Sequence, residues 1–269
     1  MIIDAFMFYN EIDLLLYRLT ILNPIVDYFI LVEATHTFVG KNKTLFYNEN
    51  KVLFKEFNEK IIHIIVDDFP FKYPNINIAN KEQWKNEFFQ RNAISRGIDG
   101  IPNISNSDVI IIADLDEIPD PNTLIMIKNS NIIINDNILQ MDLYYYNLNT
   151  LFNNYKWNCC KIISYQKYKE LNISINNIRE NTSSSSIIKN GGWHLSYFGD
   201  INFIKNKIEN FGHQEYNNVS YTDLNIIKKQ VDSFKDLYNR THYNIIKIDV
   251  KDNKYLPPYY DKYLTKYYS

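Results

Sequence analysis

Apolar runs and helix-period stretches alternate along this chain. Residues 1–9, Met1-Ile-Ile-Asp-Ala-Phe-Met-Phe-Tyr9, read as a first strand. Asn10 or Asp13 is placed to cap a helix over about 11–22, where Leu15, Leu19 and Leu22 share a face, and Pro24 ends it. Tyr28-Phe-Ile-Leu-Val-Glu33 is a second strand, so a strand, a helix and a strand fall within about 33 residues. That is a βαβ unit, which implies a parallel sheet. Lys60–Asp67 predicts a third strand and residues 69–81 a Pro- and Asn-rich loop. A helix follows from about Glu82 to Gly97, with the glycine as its stop. The run from Asp108 to Ala113 has no polar break after its first residue and predicts a strand buried on both faces. Asp120-Pro-Asn-Thr starts a helix to about Lys128, and strands are expected at Ile138–Asn147 and Trp157–Ser164. Residues 172–190 read as an exposed, mobile loop. Apolar positions 224, 227, 231, 234 and 238 have helical period and predict a packing helix over 222–239. The tail from Tyr255, with Pro257-Pro258, either docks or hangs free.

At 269 residues, 45% hydrophobic and 22% charged, the chain is globular and forms one large domain. A net charge of −2 gives no general attraction to nucleic acid or to anionic membrane. No apolar run approaches 18 residues and Met1-Ile-Ile-Asp4 has no basic flank, so neither a membrane span nor a secretory signal is expected. Cys159 and Cys160 are adjacent and without other partners, which fits a reducing, cytoplasmic setting. The sequons Asn42-Lys-Thr44 and Asn181-Thr-Ser183 are then idle. Tyr is abundant at 22 residues, and its flat face with a polar tip suits sugars, although Asn, Ile and Lys are enriched alongside it as in a biased genome.

The chemistry concentrates at the end of the buried run, Ala113-Asp114-Leu-Asp116-Glu117-Ile-Pro119. Side chains two apart in extended chain point the same way, so Asp114 and Asp116 aim two carboxylates past the strand's C-terminal end. In open α/β sheets that end is where ligands bind. A hard divalent cation, shared with water and substrate phosphate, would relieve the repulsion between them. A turn or helix cap is the plainer reading of the same acids. Pro119 stops any continuing central strand.

Other candidates flank this turn. Glu33 opens a polar loop through Thr37 and Gly40 at a strand end. Arg91 suits a diphosphate, or else pairs with Glu87 four residues before it. His63, inside an apolar run, reads as a core histidine. Gly191-Gly192-Trp193-His194 offers close backbone approach, a stacking face and a ligand nitrogen, and His213 with Glu215 follows.

Five separated motifs then agree: Asp4-Ala-Phe-Met-Phe-Tyr-Asn-Glu11, Val32-Glu33 with Thr37 and Gly40, Phe89-Gln-Arg91-Asn-Ala93, Ala113–Pro119, and Gly191-Gly-Trp-His194-Leu-Ser196. In this order, over roughly residues 2–245, they resemble glycosyltransferase family 17, the β-1,4-mannosyl-glycoprotein 4-β-N-acetylglucosaminyltransferases. The resemblance implies an α/β, GT-A-type fold: a Rossmann-like, mixed but mainly parallel sheet flanked by helices. It implies one catalytic domain over 1–250, with a nucleotide-sugar-binding half at 1–120, an acceptor-binding half at 121–250 and a tail at 251–269. It also implies inverting transfer, most simply of N-acetylglucosamine from UDP-GlcNAc to a glycan hydroxyl, with Mn²⁺ or Mg²⁺.

By that resemblance Asp114 and Asp116 hold the metal on the donor diphosphate, Glu117 orients them, and His194 or His213 completes the metal site. Glu33, Thr37, Gly40, Arg91, Asp114, Gly191, Gly192 and Trp193 meet the donor, and Glu215 or Asp200 is the catalytic base. The animal enzymes' membrane anchor and stem have no counterpart at the start of the sequence, which points to a bacterial or large-virus glycan enzyme. A donor other than UDP-GlcNAc, a metal-dependent nucleotidyltransferase or phosphodiesterase, and a non-catalytic glycan-binding module are the rival readings.

Overall fold

A computed structural model describes residues 1–268, so of the expected 251–269 tail only Ser269 lies outside the described residues. The β-branched runs become β1 (Ile2–Phe8), β2 (Tyr28–Ala34), β3 (Ile61–Val66) and β4 (Val109–Asp114). They lie in the order β3-β2-β1-β4, all parallel. Helix α1 (Ile12–Leu22) makes the first crossover. The β2-to-β3 connection carries the short α2 (Phe46–Glu49), and α3 (Glu82–Asn92) with α4 (Ile94–Ile98) leads into β4. One long helix was expected where α3 and α4 stand. The helix turns at Ala93, and Gly97 is no stop signal: a Cβ there would lie 2.5 Å from Ile30 Cγ2, so the glycine lets α4 press on β2.

The second half extends the same sheet. β5 (Glu117–Pro119), α5 (Pro121–Lys128), β6 (Asp136–Tyr145), β7 (Thr150–Trp157) and β8 (Lys161–Ser164) follow in order. Next come α6 (Tyr165–Leu171), α7 (Ile175–Glu180), β9 (Ser186–Ser196) and α8 (Ile201–Asn210). The chain continues through α9 (Val219–Thr222), α10 (Leu224–Asp232), β10 (Ile245–Lys247) and α11 (Tyr260–Tyr263). β8 runs antiparallel between β4 and β6. β6 is the branch point: it pairs antiparallel with β7 and parallel with β9, and β9 pairs antiparallel with β5. The result is a ten-stranded mixed sheet that forks and curls, with helices against it.

Two further expectations change, and the open reading of the tail is settled. Residues 172–190 are not a free loop, because they hold α7, with Ile175 and Ile178 buried, and the start of β9. The helix expected over 222–239 ends at Asp232, and Leu237 and Tyr238 reach the core from irregular chain after Phe234 turns to φ 54°. The tail docks. Leu264 and Tyr267 are buried in the main core, Tyr17 Oη donates to Pro258 O at 2.7 Å, and Leu148 N donates to Tyr267 O at 2.8 Å. Among the described residues no helix is long and apolar enough to cross a membrane.

β9 explains the paired glycines. A Cβ on Gly192, at φ +145°, would lie 2.1 Å from Ile118 O, and one on Gly191 would lie 2.6 Å from Leu139 Cα. Only glycine lets β9 pass this close to β5 and β6. Gly192→Ala should therefore cost roughly 3 kcal/mol, from backbone strain plus overpacking. A denaturant midpoint equal to the parent's, at unchanged slope, would show that β9 can move off Ile118.

Candidate active site

The C-terminal ends of β1, β2 and β4 open into a cleft of about 770 Å³. Met7, Phe8 and Tyr9 extend from β1, His36, Thr37 and Phe38 follow β2, and Asp114, Leu115 and Asp116 follow β4. Aromatic rings also line the cleft: Tyr145, Tyr238 and Tyr243 lie against Arg240, with Tyr155 packed on Tyr243 and Tyr216 on Tyr238, while Trp157 sits beside the acidic turn.

The acidic turn is braced from beneath. Arg18, on α1 and fully buried, pairs with Asp4 through Nε (2.8 Å) and Nη2 (2.6 Å). Its Nη1 donates to the carbonyls of Asp114, Leu115 and Glu117 at 3.0, 2.9 and 2.6 Å. Glu117 sits inside the turn with no exposed surface. It accepts from Asp114 N at 2.9 Å, from Trp157 Nε1 at 2.6 Å, and from both Arg179 terminal nitrogens at 2.5 and 2.8 Å. Glu117 thus ties Asp114, Trp157 and Arg179 together within the turn.

The two aspartates face different cations. Asp114 meets Arg179 Nη2 at 3.0 Å and Arg91 Nη2 at 3.3 Å. Asp116 meets Lys207 Nζ at 2.8 Å and His194 Nε2 at 3.5 Å. Burial alone would raise both carboxyls, but the facing cations more than offset it and hold both below the usual carboxylate range. Burial would lower Lys207, and the Asp116 and Glu11 carboxylates instead push it above its ordinary value. His194 is wedged against Trp157 at 4.3 Å between ring centroids, and its Nδ1 is buried without a partner.

Of the residues expected to meet a donor, Thr37, Arg91 and Asp114 line the cleft, and Thr37 Oγ1 is buried and unpartnered there. Glu33 lies beneath it. Its carboxylate accepts from Tyr47 N at 3.1 Å and pairs with His63 at 3.1 Å and Lys43 at 3.7 Å, so it secures the loop. Gly40 turns at φ +77° against Tyr73 and Lys72, away from the cleft. Gly191 and Gly192 serve strand packing, as above. Trp193 is no stacking face, because it is 1% exposed and packs on Tyr255, to whose carbonyl Nε1 donates at 3.2 Å.

The expected bases are also displaced. Asp200 caps α8 by accepting from Phe203 N at 2.8 Å, and it does not line the cleft. Glu215 is on the exposed rim, bound to His213 Nδ1 at 2.7 Å. His213 also lines the cleft, edge-on against Trp84 at 4.6 Å, whereas His194 is the histidine beside Asp116.

A divalent cation can be tested against this donor set. Among the described residues no three metal-binding side chains converge. A cation that shares its shell with a diphosphate needs only one or two protein carboxylates. Asp116 answers that need: it stays ionised and already holds an ammonium against one oxygen. The residues fit a cation that arrives with the donor, not a caged one.

Sequence reasoning missed Arg18, Trp157, Arg179 and Lys207. None lies in a local motif, and each reaches the turn from a separate element.

The family model described as Glycosyltransferase family 17 matches residues 1–244. The chain is 28% identical over 130 residues to the beta-1,4-mannosyl-glycoprotein 4-beta-N-acetylglucosaminyltransferases of Rattus norvegicus and Homo sapiens. The Mus musculus protein of that name is 27% identical over the same length. These matches cover 47% of this chain and 23% of each relative, so the chain spans about a quarter of the curated relatives' length. With its family model covering nearly the whole chain, and the acidic turn at a strand end inside that match, the chain belongs to glycosyltransferase family 17.

Proposed function

We propose that the chain is an inverting glycosyltransferase that moves N-acetylglucosamine from UDP-GlcNAc to a glycan hydroxyl. The observation that carries this reading is the braced Asp114–Glu117 turn, opening from a parallel-strand end into a cleft also lined by aromatic rings. The donor sugar is taken from the relatives' printed names. The β3-β2-β1-β4 order supports a GT-A-type arrangement, with residues 1–120 for the nucleotide sugar and 121–250 for the acceptor.

In this reading the diphosphate lies beside Arg91 and Asp116. A divalent cation, Mn²⁺ or Mg²⁺, would be held by Asp116 with His194 beside it, and would supply charge neutralisation to the leaving diphosphate. Arg91 adds fixed positive charge from α3, and Arg179 keeps Asp114 and Glu117 in register. Thr37 offers its unpartnered hydroxyl to the nucleoside end. The acceptor sugar stacks on the aromatic rings of Trp157, Tyr155 and Tyr243. Glu87 also lines the cleft, but its carboxylate accepts from Arg91 Nη2 at 2.9 Å, on the side of the leaving diphosphate, so it holds Arg91 in place and is not the base of an in-line displacement. Burial together with Asp114 pushes its carboxyl up against the lowering pull of Arg91.

The test is a screen for UDP release with Mn²⁺ and each common UDP-sugar, in the presence of mannose-containing oligosaccharides. Release from UDP-GlcNAc at least about tenfold above any other donor is expected, since pocket contacts discriminate by about that much or more. Faster release from another UDP-hexose would keep the mechanism and overturn the donor. Release of pyrophosphate or of a nucleoside monophosphate would overturn the reaction class.

A further inference from the structure

The two oxygens of Asp116 are occupied by groups of unlike mobility. His194 belongs to β9, is hemmed in by Trp157, and cannot leave without moving a strand. Lys207 sits on α8 at the end of a flexible four-carbon stem. Its ammonium lies 2.8 Å from Asp116, 3.6 Å from Glu11 and 5.4 Å from the Tyr197 ring centre, and its side chain faces the cleft. Lys205, two residues earlier, turns instead to Glu209 at 3.2 Å and the Thr222 carbonyl at 3.3 Å.

We propose that Lys207 is a resident counter-ion, holding the cation position on Asp116 while the donor is absent and releasing it when a divalent cation and a diphosphate arrive together. The inference rests on the donor-site reading above and adds an order of events to it. A metal arriving alone must strip an ammonium from a buried carboxylate, so it binds only the minor population in which Lys207 has swung off. If that population is about 1–10%, the affinity for metal alone is lowered by roughly ten- to a hundredfold. A diphosphate changes the balance, because it gives the released ammonium a new anionic partner. Metal and diphosphate then favour each other's binding reciprocally. The device keeps the enzyme from loading a cation with no donor to share it.

The experiment measures Mn²⁺ binding to the full chain by the electron paramagnetic resonance of free Mn²⁺, without and then with UDP. Lys207→Met should bind Mn²⁺ alone at least about tenfold more tightly than the parent, while Lys205→Met should match the parent. UDP should tighten Mn²⁺ binding in the parent and do so much less in Lys207→Met. Lys207→Gln makes the same test should the methionine variant fail to fold. Unchanged or weaker binding of Mn²⁺ alone in the folded variants, with the parent still binding Mn²⁺ in the presence of UDP, would overturn the counter-ion role and spare the donor site. No Mn²⁺ binding by the parent even with UDP would overturn both.

Discussion

Asp116→Asn should lower UDP release by about a thousandfold or more while leaving the protein folded. The substitution keeps the shape of the side chain and removes the one charge that Lys207 and His194 both face. Charge stabilisation of a leaving group in an enclosed site is commonly the largest single contribution to such a rate, and loss of one preorganised partner alone costs a hundred- to a thousandfold, roughly. The structural cost is smaller, because Lys207 keeps Glu11 within reach at 3.6 Å and the turn's backbone is held by Arg18, not by Asp116. Turnover measured beside a melting curve separates the two effects. Activity within about tenfold of the parent, at equal stability, would remove Asp116 from the donor machinery.

Arg18→Met should be the most damaging single change to the fold, at about 3–5 kcal/mol, because removing one partner of a buried pair leaves the other charge uncompensated. Here the loss is compounded. Asp4 has no exposed surface, and three carbonyls of the acidic turn would lose their donor together. Arg18 also lies over the Phe6 ring, 4.5 Å from its centre, so packing is lost as well. Adding Asp4→Leu to Arg18→Met should restore part of the stability, since it removes the stranded charge, but not the turn's shape. Turnover should therefore stay low in the folded double variant. A single-variant cost below about 1 kcal/mol would mean that water replaces the guanidinium and the brace is dispensable.

The parallel quartet was legible because buried parallel strands are written as near-continuous apolar runs: β4 is one from Val109 to Ala113, and β1, β2 and the edge strand β3 each carry a single polar residue, Asp4, Glu33 and His63. The acidic turn was legible for the same reason: its acids interrupt such a run abruptly. β9 was not, because two glycines and several polar residues hide a strand whose role is close contact. The site's cations were not legible either. Arg18, Arg179 and Lys207 come from α1, α7 and α8, and nothing local distinguishes them from surface residues. Trp193 and Asp200 misled in the opposite sense. A tryptophan beside glycines and an acid after Gly199 suggest ligand chemistry, yet one fills the core and the other caps a helix. Side-chain direction is decided by which strand pairs with which, and that is a property of the whole chain.

The docked tail has a consequence for how the protein is made. Leu264 and Tyr267 close the same core that α1 and β1 begin, and Lys266 forms an ion pair with Asp13. Asp13 and Lys266 are separated by 253 residues, so on the ribosome, at about 5–20 residues per second, these partners emerge well apart in time. The parallel quartet can assemble early, but one flank of its core stays open until residues past 255 have left the exit tunnel. Throughout that interval the nascent chain presents the apolar face that chaperones bind. A pause in translation between β4 and residue 255 would prolong that exposure.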